Sequence, residues 1–347
     1  RIGNDCQDFM GLGDNQLLTN KLDYPVESPG TLNSTWGFKY DDHNWKSPEQ
    51  VISQLVSLTE KNANYLLNVG PTPEGEFTPE TDQIFAAIAD WIHDKKDAIH
   101  ATSPNPFPQE LDFAFCTAKE KTLNFFLKKN PAELSLSGIH GKLVSASVDF
   151  KQDGDQIFLK LPDFHGQFLP LVKLTFDSIP EIKILPQNGG MVLGMSIGTI
   201  HEVKDEQESR QEIVDEAAVT HIVTTHATYD RDGTIWNWKN TTDYVTWEIE
   251  FPEGGEYEVF LFTQTRWKGQ PWDGGRLMEV TWNSQSISNI LNKDEQLPSF
   301  HNLRYVSKLG MLKINKGERG QLTLRTLRID SKEAGQLNLA SVRLMRK

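Results

Sequence analysis

"NYLLNVGP", Asn64 to Pro71, decides how the first third of the chain is read. It is a short apolar run stopped by Gly70-Pro71. It is too short for a helix and apolar on both faces, as a buried parallel strand is. Helix signals flank it. Ser47-Pro48-Glu49-Gln50 offers a Ser cap, Pro in the first turn and Gln three residues after the Ser. Val51, Ile52, Leu55, Val56 and Leu58 follow at helical spacing. Downstream, Thr78-Pro79 restarts a helix whose apolar stripe is Ile84, Phe85, Ile88, Trp91 and Ile92. Helix, buried strand, helix is the repeating unit of an α/β barrel. One such unit cannot close alone, because its strand needs neighbours on both sides.

The texture changes after Ser103–Glu110, where Pro104, Pro106 and Pro108 make a stiff connector. Period-two runs follow, among them "TLNFFLKK", "KLVSASVDF" and "QIFLKL", with Asp153-Gly154 as a hairpin turn. Gly-rich "PQNGGMVLGMSIG" and an acidic stretch then lead to further strands. In "YVTWEIEF", Val245, Trp247, Ile249 and Phe251 share one face. "GMLKIN" and "QLTLRTLRI", joined through "KGERG", read as a hairpin. The expected fold is multidomain: a partial (β/α)8 barrel segment followed by two antiparallel β-sandwich domains. The expected boundaries are 1–103 for the incomplete barrel part, 104–187 for the first sandwich, 188–220 for a linker and 221–347 for the second sandwich.

Composition narrows the chemistry. The 347 residues carry a formal charge of −13, which argues against nucleic acid and anionic lipid as partners. No apolar stretch approaches the roughly 20 residues of a membrane span. Cys6 and Cys116 do not make a disulfide framework. His43, His93 and His100 lack zinc-like spacing with Cys or carboxylates, so no metal and no cofactor are expected. Nine Trp are a positive hint, since Trp near loops offers flat faces to sugar rings as well as to cores.

The stretch from Leu32 to Glu80, "LNSTWGFKYDDHNWKSPEQVISQLVSLTEKNANYLLNVGPTPEGEFTPE", resembles the closing part of the catalytic barrel of α-L-fucosidases, glycoside hydrolase family 29. Trp36-Gly37-Phe38, Asn64 to Pro71 and "KKDAIHATSP" carry the likeness. The similarity is close from Arg1 to about Pro106. Asn62-Ala63 stands where the family has Gly-Gly, and Asp97 and His100 where it has Glu and Tyr. The resemblance implies a retaining hydrolase of terminal α-L-fucose that uses two carboxylates. It also implies a fucosylated oligosaccharide or glycoconjugate as substrate and an extracellular or periplasmic setting.

The same resemblance assigns residues. Arg1 is similar to the family's Arg that reaches the sugar and the carboxylates. The nucleophilic Asp is then expected upstream of residue 1, and the chain by itself is expected to be inactive. Trp36 matches the aromatic packed against the fucose methyl group. Gly13 occupies the position where the family commonly has its acid/base Glu, so Asp14 stands first for that role and Glu27 second. Asn68, at the end of the apolar strand, bonds sugar or positions a loop, and His43 borders the leaving-group side. In the last region Trp236, Trp238, Trp267 and Trp272 suggest an accessory sugar platform like those of carbohydrate-binding modules. The alternative function is a sugar-binding or adhesion protein with a degenerate barrel, which the Gly13 substitution favours.

Overall fold

The computed structural model describes residues 8–202, 209–214, 217–222, 226–299, 302–330 and 338–347. Arg1 and Cys6 lie outside them. The chain forms two compact units, Arg1–Met191 and Val192–Lys347.

The first unit begins with a parallel sheet in the order β1 (Met10–Gly11), β2 (Val26–Thr31), β3 (Ala63–Asn68). Helix α1 (Pro48–Thr59) makes the crossover between β2 and β3, and α2 (Pro79–His93) follows. The cap signals act as the sequence implies. Ser47 accepts from the Gln50 N–H while the Gln50 side chain accepts from the Ser47 N–H. The Thr78 hydroxyl caps α2 through the Thr81 N–H.

Side-chain alternation on β3 separates two faces. Tyr65 and Leu67 pack with Val51, Leu58 and Ile84 on the helix side, and the Tyr65 hydroxyl donates to Gln54 of α1. On the other face Asn64 is exposed and Leu66 is 49% exposed. Burial on both faces was the expectation, so this is a correction. The strand is parallel and apolar, but nothing among the described residues covers its second face.

Downstream, β4 (Ala114–Lys119), β5 (Thr122–Leu127), β6 (Glu133–Ser137), β7 (Ile139–His140), β8 (Leu143–Ala146), β9 (Asp149–Asp153), β10 (Gln156–Lys160) and β11 (Leu171–Phe176) are antiparallel where they pair. They form sheets in the orders β4-β5-β11-β8 and β6-β10-β9, which share one core built on Phe113, Phe125, Leu136, Ile157 and Phe176. Gly154, in the left-handed region, makes the expected β9–β10 turn. The run "KLVSASVDF", by contrast, is split between β8 and β9 in different sheets. Buried Glu60, just past α1, accepts from the Cys116 N–H of β4 and fastens the helix to these strands. Burial, and the Glu60 charge after it, raises the Cys116 thiol well above its usual range, which makes it inert packing.

Among its described residues the second unit holds one two-stranded sheet and two large antiparallel sheets. One has five strands: Thr199–His201, Tyr244–Phe251, Glu318–Arg328, Leu277–Trp282 and Gln285–Ile290. The other has seven and is built around Asn338–Arg346, Gly255–Gln264 and Arg304–Ile314. Phe251 of the first sheet meets Tyr257 of the second at 5.0 Å between centroids, so the two share a core. In and just beyond 188–220, the segment read as a linker, Ser209–Val214 pairs antiparallel with Ala217–Ile222, and Thr199–His201 joins the five-stranded sheet. Arg304–Ile314 and Glu318–Arg328 are not a hairpin, because they belong to different sheets. Inward Leu309, Leu312, Leu322 and Leu324 all face one core, which the chain can line only by arching from sheet to sheet through Gly317.

Candidate active site at the ends of the parallel strands

Turns and loops at the C-terminal ends of β1, β2 and β3 carry Asp14, Trp36, His43 and Asn68, four of the residues singled out in the sequence. Leaving β1, the Leu12 N–H donates to the Glu27 carbonyl and the Asn15 N–H to the Pro29 carbonyl. Asp14 is exposed on the turn between them. Asn15 adopts φ 56°, a conformation Asn tolerates better than most residues. Its side-chain oxygen accepts from the Thr31 N–H at 3.2 Å and from the Lys46 ammonium at 3.1 Å.

Glu27 lies elsewhere. It is the second residue of β2, in register with Gly11 and Asn64. Strand geometry puts it about 13 Å before the Thr31 end. It shares the face of Thr31, away from Ser28 and Gly30, since a Cβ on Gly30 would meet the Tyr65 ring at 2.8 Å on the helix side. Asp14 is thus at the mouth, and Glu27 is deep and half-buried.

Trp36 and Asn68 are brought together. The Asn68 amide donates to the Trp36 carbonyl at 2.5 Å and to the Thr31 hydroxyl at 3.3 Å. The Asn33 side chain accepts from the Trp36 N–H at 3.1 Å and donates to the Gly37 carbonyl at 2.9 Å. These bonds hold Trp36 at φ 66°, a rare conformation for so bulky a residue. Gly70 completes the seat. A Cβ there would stand 2.4 Å from the Gly37 carbonyl carbon, so the strand exit and the Trp36 turn touch backbone to backbone.

The loop beyond Trp36 closes on itself. Asp42 accepts from the Thr35 hydroxyl and from the N–H groups of Ser34, Thr35 and Asn44. Burial alone would raise its carboxyl, but these bonds outweigh it and leave the group below its usual range. His43 is exposed on this loop. Asn33, Asp42, Lys46 and Gly70 were not singled out from the sequence. Gly70 before Pro71 was the one available signal, since such a glycine marks a close approach or a turn.

The four Trp singled out in the second unit do not make one platform. Trp238 is 1% exposed and belongs to the core, which corrects its assignment to sugar stacking. Trp272 is half-buried, donates to the Thr263 hydroxyl at 3.0 Å and packs against Tyr305. The Arg266 guanidinium lies 3.8 Å from the Trp236 ring centroid and is held by Asp230 at 2.9 Å. Trp267 is 53% exposed.

Among the described residues no group of three or more His, Cys, Asp or Glu is placed to hold a metal ion, and no helix is long and apolar enough to cross a membrane. Two open grooves of about 550 and 660 Å³ lie on the antiparallel strands of the first unit, and neither is lined by Asp14, Glu27, Trp36, His43, Asn68 or the four singled-out Trp of the second unit.

A family model described as Alpha-L-fucosidase matches residues 1–97. The tissue alpha-L-fucosidase of Bos taurus is 31% identical over 87 residues, 24% of this chain and 19% of that protein. That of Homo sapiens is 32% identical over 72 residues, 20% of this chain and 16% of that protein. The chain thus spans about a fifth of the length of these curated relatives. The crystal structure of an alpha-L-fucosidase from Vibrio sp. strain EJY3 covers 97% of this chain and 57% of its own, with a TM-score of 0.72 at 17% identity. That likeness shows a shared fold.

Proposed function

Because residues 1–97 belong to the α-L-fucosidase family, we propose that this chain contributes to a retaining glycoside hydrolase that releases terminal α-L-fucose from glycans or glycoconjugates. The observation that carries the reading is the strand-end cluster in which Asn68 seats Trp36 while Asn15 fixes the turn of Asp14. The parallel strands are then a segment of a (β/α)8 barrel, and the open face at Asn64 and Leu66 supports that. The antiparallel sheets are read as two β-sandwiches, with domains at 1–103, 104–187 and 221–347; 188–220 connects them, and its Thr199–His201 adds a strand to the second sandwich. An extracellular or periplasmic setting goes with this function.

The reaction has two displacements. A carboxylate attacks the anomeric carbon as the bond to the leaving oxygen breaks, and Asp14 gives that oxygen its proton. Asp14, now a carboxylate, takes a proton from water, whose oxygen attacks the anomeric carbon and releases the nucleophile. The nucleophilic Asp is assigned to a strand outside these 347 residues. Arg1, outside the described residues, keeps the role of a cation beside the sugar. Trp36 supplies an apolar wall for the C6 methyl, worth about 1–3 kcal/mol against a sugar with a hydroxyl there. His43 borders the leaving group. Glu27 is the second choice for acid/base, since its depth on β2 takes it away from the mouth.

Hydrolysis of an aryl α-L-fucoside tests the proposal. The 347-residue chain is expected to be inert, and a polypeptide that includes the preceding barrel strands is expected to be active. In the active polypeptide Asp14→Asn lowers kcat far more than Glu27→Gln. Turnover by the 347 residues alone would refute the placement of the nucleophile.

A sugar-binding protein with a degenerate barrel is the second reading. It is favoured by Gly13 at the expected Glu position and by exposed Trp267 beside the Arg266–Trp236 stack. Glycan-array binding that Trp267→Ala abolishes, with no hydrolysis by any longer form, would establish it instead.

A further inference from the structure

Lys46 stands in the polar loop that leads into α1, where a lysine is ordinarily solvated, yet it is 2% exposed. A buried ammonium is costly unless it is hydrogen-bonded. An apolar side chain would fill the same space without that cost, so the ammonium has to be accounted for by the bonds it makes. Its Nζ donates to the Thr31 carbonyl at 2.7 Å and to Asn15 Oδ1 at 3.1 Å. Its backbone N–H donates to the Leu32 carbonyl at 2.8 Å, which lays the residue along the exit of β2.

Asn15 is the joint on which these bonds meet. One oxygen accepts from both Lys46 and the Thr31 N–H, while its own N–H is tied to the Pro29 carbonyl at 2.8 Å. The exit of β1 is thereby fastened to the end of β2 at three points. Asp14, the residue before Asn15, cannot swing without opening one of them.

We propose that Lys46 is a positioning residue whose ammonium clasps Asn15 to the end of β2 and so fixes the turn that presents Asp14. The claim rests on the reading of Asp14 as the acid/base. It assigns Lys46 no contact with substrate. Burial lowers the Lys46 amine to about 8, so its charge-assisted bonds weaken in mildly alkaline solution. Of its partners, the Asn15 amide at the β1 exit and the Thr31 carbonyl of β2 do not titrate.

Amide hydrogen exchange on the 347-residue chain tests the clasp without needing activity. Lys46→Met is expected to raise exchange at the Thr31 N–H by about tenfold or more, while amides of Tyr244–Phe251 stay unchanged. Lys46→Arg keeps protection. Asn15→Gly retains the left-handed backbone but removes the acceptor, and it should match Lys46→Met; it decides the matter if Lys46→Met does not fold. In the wild type, protection at Thr31, corrected for the intrinsic rate, falls as the pH rises through about 8; in Lys46→Arg it does not. Unchanged exchange at Thr31 in a folded Lys46→Met, or in Asn15→Gly, overturns the clasp, whatever Asp14 does. Kinetics of the active polypeptide separate the second claim: a loosened clasp should lower kcat and leave KM in place. An open clasp with unchanged kcat leaves the clasp standing and overturns its link to Asp14.

Discussion

The parallel strands of the first unit and the antiparallel sheets of the second solve opposite problems. Tyr244–Phe251 and Glu318–Arg328 turn Val245, Phe251, Leu322 and Leu324 into a closed core with no measurable exposure. β3 leaves Leu66 half in solvent and spends its last residue, Asn68, on holding another loop. Where apolar faces close on each other, side chains are interchangeable within limits of volume. Where strands end together, single polar atoms hold the backbone, and few side chains can supply them. The contrast locates stability in the second region and precision in the first.

Four substitutions and one control break or sharpen that contrast. Leu324→Ala should cost about 2–5 kcal/mol in denaturant unfolding and leave aryl-fucosidase activity of the active polypeptide unchanged. Gly70→Ala should cost about 1–3 kcal/mol by driving the Trp36 turn away. It should also lower kcat/KM by about 100-fold, since a displacement of about 1 Å in a binding group is enough for that. Gly37→Ala is its control, because a Cβ there meets nothing within 4 Å. Asn68→Ala should cost about 1 kcal/mol for the lost bonds to Trp36 and Thr31, seen as a lowered Tm. Leu66→Ala in the 347-residue chain should cost less than about 0.5 kcal/mol. A loss at Leu66 as large as that at Leu324 would mean that the face is covered, and the contrast would fall.

Local signals were legible in the sequence because they act over a few residues. The Ser47/Gln50 box, the Thr78-Pro79 helix start and the Asp153-Gly154 turn stand where their spacing puts them. Signals that depend on a distant partner were not. "NYLLNVGP" is apolar on both faces whether or not another layer covers Leu66. Lys46 looks solvated until Asn15 and Thr31 surround its ammonium. Trp238 and Trp267 sit in similar loops, and only the packed core separates the buried ring from the exposed one. The arch through Gly317 has the sequence of a hairpin, since a turn glycine serves both, and inter-sheet closure selects between them.

The backbone contact between Gly70 and Gly37 bears on how this site can diversify. Descent with modification needs intermediates that fold, and no larger residue at 70 offers one without moving the turn opposite. On the proposed fucose-binding role, variation in sugar preference is therefore channelled to side chains on that turn and the loop after it, Trp36 and His43, while the junction beneath them stays fixed. A mutant library built for a different deoxysugar gains most by randomising 36 and 43, and loses the greater part of its members by including 70.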